Sequence, residues 1–188
     1  MLYTRRGDDG TTKTFGCDQR VSKSSLVAEA LGTLDEVNSF LGFVRAKSAA
    51  LGFECDHPDG HRMQYADVVL EVQKNLFIVQ AEVAGSEMSI SPDKIKRIEG
   101  ITDSIERVLP PIKNFFISGA TELGGMFDFA RTLARRAERR VVAVQEEGKR
   151  NVSAETRQYL NRLSSLLYAL ARISSRVGGR EEVIPDYK

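Results

Sequence analysis

Apolar residues recur every three to four positions through most of this 188-residue chain, and all five prolines (Pro58, Pro92, Pro110, Pro111 and Pro185) lie outside the longest periodic stretches. A period near 3.6 without internal proline specifies amphipathic helices and leaves little room for strands. Five helices are expected. The first covers about 26–49, with Leu26, Ala30, Leu34, Val37, Leu41 and Val44 as its apolar stripe, and the second covers about 63–85 with Val69, Val72, Leu76, Val79 and Val83. The third opens at a capping Ser91 followed by Pro92 and Asp93, carries Ile95, Ile98, Ile101, Ile105 and Leu109, and stops at Pro110. The fourth runs from about 120 to 147 and ends at Gly148; the fifth runs from about 153 to 176 and ends at Gly178 and Gly179. The stretch 51–62, rich in Gly, Pro, Asp and His, reads as a loop. Helices of about 25 residues span ~37 Å, and short links between them give bundle geometry. The expected architecture is all-α: one domain over 1–188, with a polar segment at 1–25, a five-helix bundle at 26–176 and a tail at 177–188.

Charge narrows the function classes. Twenty-seven Lys and Arg face 26 Asp and Glu, so the chain is not a globally basic nucleic-acid binder. Cys17 and Cys55 lack CxxC spacing, which fits a reducing compartment better than a disulfide framework. No apolar run approaches the ~18 residues of a membrane span, and no signal-peptide pattern is present, so a cytoplasmic location without membrane contact is expected. His57 and His61 near Cys55 and Asp56 match no strong zinc spacing.

Three polar constellations stand out. Residues 3–16 hold Gly7, Gly10 and Gly16, four threonines and the cations Arg5, Arg6 and Lys13, with Lys23 following, a composition that reads as loop with room for a short hairpin. Amide and hydroxyl donors beside positive charge can cradle a polyphosphate, although this is not P-loop spacing and a frayed polar terminus has the same composition. On the fourth helix, five arginines (131, 135, 136, 139 and 140) accompany Glu138, and the helical angle groups Arg131, Arg135 and Glu138 on one stripe. Such a stripe can bind anions, form a solvated face, or contact nucleic acid. On the first helix, Asp35 and Asn38 border the apolar stripe, and the carboxylate is expected to pair with an arginine of the fourth helix. A polar ridge of Asn161, Ser165, Tyr168 and Arg172 lines the fifth. No side chain reads as an activated nucleophile, which favours chemistry in which the ligands supply the reacting atoms.

The segments Tyr3-Thr4-Arg5-Arg6-Gly7-Asp8-Asp9-Gly10-Thr11-Thr12, Arg20-Val21-Ser22-Lys23 and Gly32-Thr33-Leu34-Asp35-Glu36-Val37-Asn38-Ser39, the arginine run 131–140, and Tyr159-Leu160-Asn161-Arg162-Leu163-Ser164 occur in this order over the chain. Together they resemble the PduO-type ATP:cob(I)alamin adenosyltransferases. The resemblance implies a five-helix bundle with an N-terminal ATP-binding loop, usually a homotrimer with ATP between neighbouring subunits. It implies transfer of the 5′-deoxyadenosyl group of ATP to the cobalt of cob(I)alamin, with Mg2+, giving adenosylcobalamin and triphosphate. A reductase would supply the cob(I)alamin. A diverged, non-catalytic sensor or carrier of ATP or cobalamin is the alternative, and a nucleic-acid role ranks last.

Carried over by position, the resemblance implies ATP contacts at Thr4, Arg5, Arg6, Gly7, Gly10, Thr12, Lys23, Arg135, Arg136, Glu138 and Asn161. It implies an ion pair of Asp35 with Arg131 on the cobalamin side, and Arg135 on the triphosphate. It makes Phe115 the aromatic residue that displaces the lower axial ligand of cobalt. Departures from the family pattern are Ser165 where Asp is common, Ser118 where proline is usual, Leu31 in place of an aromatic, and Ser24, Ser25 and Val27 in place of an Asp and Arg pattern.

Overall fold

The computed structural model describes residues 5–14, 20–56 and 59–187. Five long helices carry the fold: α1 (Leu26–Leu51), α2 (Tyr65–Ala84), α3 (Pro92–Val108), α4 (Glu122–Glu147) and α5 (Ala154–Val177). The expected all-α bundle is present, and helix ends fall within a few residues of the sequence signals. Ser25, Thr121 and Ser153 cap α1, α4 and α5 by accepting from the amides of Ala28, Gly124 and Thr156. Ser91 occupies the N-cap of α3 but makes no side-chain capping bond; Pro92 opens that helix. No helix among the described residues is long and apolar enough to cross a membrane.

Two short antiparallel pairs accompany the helices, the first a hairpin of the kind the polar N-terminal segment left room for, the second a departure from the sequence reading. Strands β1 (Thr11–Lys13) and β2 (Arg20–Ser22) pair ahead of α1, and β3 (Glu54–Asp56) pairs with β4 (Arg62–Gln64) inside the stretch expected as a loop. Three-residue strands are too short to leave a period-2 signature, so backbone pairing fixes their positions and alone reveals the second pair.

α1 packs on α2 and α4, and α5 packs on α4 and α3. Ion pairs give the relative direction of α1 and α4. Glu29 meets Arg140, Glu36 meets Arg136, and Lys47 meets Glu122, so rising numbers on α1 meet falling numbers on α4 and the two run antiparallel. The core holds the expected stripes, including Leu34, Leu41, Leu76, Ile101, Leu163 and Leu170, joined by Tyr65, Phe127 and Tyr159. Each such side chain contributes about 1.5–3 kcal/mol on full burial. Between the start of α4 and the end of α5 the backbones come unusually close: a Cβ on Gly124 would lie 2.7 Å from Ser175 Oγ and 3.0 Å from the Ala171 carbonyl. That contact fixes the floor of the cleft described next.

Candidate active site

The N-terminal segment is knotted by its own hydrogen bonds. The Lys23 ammonium donates to the Gly7 carbonyl (2.8 Å), the Gly10 amide donates to the same carbonyl (3.2 Å), and the Lys23 amide donates to Gly10 (2.9 Å). Gly10 has φ of 80°, a left-handed conformation that glycine adopts without strain. Asp9 accepts from the hydroxyl (2.7 Å) and amide (2.9 Å) of Thr11, and these bonds with the nearby Arg20 hold its carboxyl below the ordinary range. Asp9 therefore organises the turn. Arg20 donates to the Arg6 carbonyl and to Thr11 (2.5 Å to its hydroxyl), tying the loop to β2. Arg5 and Arg6 are exposed, while Gly7 and Thr12 are half-buried. Thr4, also expected in this loop, lies outside the described residues, as do Gly16, Cys17 and His57.

A second feature is a cleft of about 710 Å³ between α4, α5, the link 109–121 and the C-terminal tail. Phe115, Ser118, Arg131, Arg135, Ser165 and Tyr168 line it. Phe115 is 82% exposed, an aromatic ring offered to the opening instead of the core. Arg135 is exposed on the cleft wall and makes no ion pair or hydrogen bond among the described residues. Arg131 donates to Asp128 (2.6 Å) and its guanidinium stands 5.7 Å from the Tyr168 ring centroid. Asp128 is only 8% exposed. Burial alone would raise its carboxyl, but the hydrogen bonds from Arg131 and from Ser118, with the Arg131 charge, outweigh that and hold it below the ordinary range. Sequence reasoning missed Asp128; its i, i+3 spacing to Arg131 was the available signal.

The expected pairing of Asp35 with Arg131 is not made within the chain. Arg131 is held by Asp128, and Asp35 is exposed without an ion pair or hydrogen bond among the described residues. The α4 arginines that do reach α1 are Arg136, on Glu36, and Arg140, 3.4 Å from Glu29. The cause is angular. Leu34, Val37 and Leu41 are buried, and the antiparallel crossing turns Glu36 towards α4. Asn38 is buried and binds α2, donating to the Gln73 carbonyl (3.4 Å) and accepting from the Gln73 side chain (3.0 Å).

Two expected ATP contacts are brought together: Asn161 donates to Glu138 (3.0 Å), a bond that joins α5 to α4. No described residue of the N-terminal loop lines the cleft. The loop precedes α1, at the end of the bundle where Glu29 meets Arg140, whereas the cleft lies at the opening half of α4. Among the described residues no group of three or more His, Cys, Asp or Glu side chains forms a metal cage. Burial pushes the Cys55 thiol up to about 11, which leaves it an inert thiol.

The chain and its fold have counterparts in known proteins. The family model "Cobalamin adenosyltransferase" matches residues 2–174. The corrinoid adenosyltransferase PduO of Salmonella typhimurium is 39% identical over 193 residues, covering 98% of this chain and 53% of that protein. The chain thus spans about half the length of that relative. The corrinoid adenosyltransferase of Mycobacterium bovis is 35% identical over 185 residues, covering 94% of this chain and 90% of the relative. A variant PduO-type ATP:corrinoid adenosyltransferase from Lactobacillus reuteri, solved with cobalamin and ATP, superposes with a TM-score of 0.83 at 23% identity, covering 100% of this chain and 97% of that one. With the family model covering most of its length, the chain belongs to the cobalamin adenosyltransferase family.

Proposed function

We propose that this protein transfers the 5′-deoxyadenosyl group of ATP to the cobalt of cob(I)alamin. One observation carries the reading: a guanidinium without a partner among the described residues, Arg135, and an exposed aromatic ring, Phe115, line the same cleft. One binds an anion and the other covers an apolar face, the two surfaces that a triphosphate and a corrin ring present. The reaction needs no protein nucleophile. The cobalt electron pair forms the bond to C5′ of the ribose, the C5′–O bond breaks, and the electrons leave with triphosphate. The protein then has two tasks, to hold the substrates in line and to stabilise the departing charge.

Arg135 takes the triphosphate, with Arg136, Glu138 and Asn161 beside it. Thr4, Arg5, Arg6, Gly7, Gly10, Thr12 and Lys23 close over the nucleotide as a lid. Because the described residues of the lid lie away from the cleft of their own chain, the site is read as completed by a neighbouring copy in a homotrimer. Asp35 and Arg131 shape the corrin side, and Phe115 excludes the lower axial ligand. Mg2+ arrives on the phosphates, since it is commonly held by substrate oxygens and water with few protein ligands, and the described residues offer no cage of their own. The protein works in the cytoplasm beside a reductase.

The test is optical: protein mixed with reduced cobalamin, ATP and Mg2+ is followed for adenosylcobalamin and free triphosphate. Formation of both supports the reading. Tight nucleotide binding by calorimetry without triphosphate release would replace it with a sensor or carrier.

A further inference from the structure

The fifth helix carries a buried charge that the proposed chemistry does not use. Arg172 is 5% exposed. Its Nε donates to both carboxylate oxygens of Glu182 (2.8 and 3.1 Å), and one terminal nitrogen donates to Glu182 (2.8 Å) and to the Pro110 carbonyl (3.1 Å). The guanidinium also lies 5.2 Å from the Phe116 ring centroid. One side chain on a rigid helix thus grips the start of the link 109–121, the residue next to Phe115, and the C-terminal tail. The two gripped segments touch each other as well, through the Ile117 amide donating to the Val183 carbonyl (2.8 Å). On the far side of Phe115 the link is fastened again, by Ser118 on Asp128. Between these anchors Phe115, 82% exposed, lines the cleft together with Ile112, Lys113 and Asn114, and tail residues Ile184, Pro185 and Tyr187 line the same space.

We infer that Arg172, through its clamp on Glu182, is a positioning residue that couples the C-terminal tail to the link bearing Phe115, and so sets how the corrinoid substrate is seated. The inference rests on the functional reading above for its chemistry, but the coupling itself does not. Arg172 and Glu182 themselves belong to the lining of the cleft, but the Arg172 guanidinium is buried and spent on protein partners. Its effect passes through Pro110, Phe116 and the tail, and none of its contacts is with Arg135. Glu182 belongs to the tail and not to the helical core, so changing it spares the bundle.

The experiment uses the full chain with Glu182→Ala and Glu182→Gln, and Arg172→Lys as the charge-conserving change. Hydrogen exchange reads the coupling without any substrate. In Glu182→Ala the amides of 116–118 lose protection while those of α2 and α3 do not; unchanged protection at 116–118 overturns the inference, whatever the activity. With substrates, Glu182→Ala raises KM for the corrinoid about tenfold or more, since small misplacements of a positioning group cost up to ~10²-fold. It also reduces the fraction of cob(II)alamin showing the spectrum of the form without a lower ligand, while the ATP dissociation constant stays within about twofold. Glu182→Gln, which keeps an acceptor, falls between wild type and Glu182→Ala, as does Arg172→Lys, which keeps charge but cannot grip with two nitrogens. Equal losses for ATP and corrinoid would mean a merely structural role and overturn the inference. A wild-type protein that forms no adenosylcobalamin would overturn the functional reading instead, and the exchange result would then decide the coupling by itself.

Discussion

The N-terminal loop and the cleft between α4 and α5 are both polar, but they are held in different ways. The loop is fastened by exposed, local bonds among Gly7, Asp9, Thr11, Arg20 and Lys23. The cleft is fastened by charged bonds in which the acid of one pair and the base of the other are nearly buried, Asp128 with Arg131 and Arg172 with Glu182. Exposed bonds compete with water and contribute little each, whereas a buried charge that loses its partner is left desolvated. A loop of the first kind can open for a nucleotide at small cost. A cleft of the second kind keeps its shape before any ligand arrives.

The comparison breaks most readily at Asp128. Asp128→Ala strands Arg131 and frees Ser118, and should lower stability by about 3 kcal/mol, less than the full cost of a buried pair because Arg131 is partly exposed; urea denaturation measures it, and a midpoint equal to wild type would show that the cleft is no more firmly built than the loop. Arg135→Ala should leave that midpoint unchanged and weaken use of ATP by about 1.5–3 kcal/mol, the worth of a hydrogen bond to a charged group. Steady-state kinetics with varied ATP would read it as roughly a tenfold to hundredfold loss. Acid provides a third test. Because the Asp128 carboxyl is lowered in the folded protein, its stabilisation is fully present above the ordinary carboxylate value of ~3.9 and is lost as pH falls through the lower folded value. Asp128→Asn should flatten the stability curve in that acid window; a curve of unchanged slope there would show that another group governs it. Lys23→Ala should have the smallest effect on folding, within ~0.5 kcal/mol, while reducing nucleotide affinity. A large fall in melting temperature for Lys23→Ala would erase the contrast between the two regions.

Much of the fold was legible because helix periodicity is a local property. Leu34, Val37 and Leu41 on α1, and Ile95, Ile98 and Ile101 on α3, are buried as their spacing requires. The site was legible where residue chemistry is also local: the glycines and threonines of the loop, and the arginines of α4. It was not legible where two neighbouring acids compete for one partner. Asp35 and Glu36 are equivalent in sequence terms, and only the crossing of α1 over α4 gives Arg136 to Glu36. Nor could periodicity find Asp128 beneath Ser118, or the return of the tail to α5, because both depend on segments without regular structure.

The amino-acid order by itself determined five helices, their buried stripes, the polar N-terminal loop and the basic face of α4, since each follows from spacing within one stretch of chain. Tertiary structure decided which of the α4 arginines are spent on ion pairs and which one, Arg135, faces the cleft without a partner among the described residues. It also decided that Phe115 stands exposed between two anchors. Partners far apart in the chain are chosen by helix crossing and by where links return, and the free energy of a charged pair depends on the burial that this packing creates.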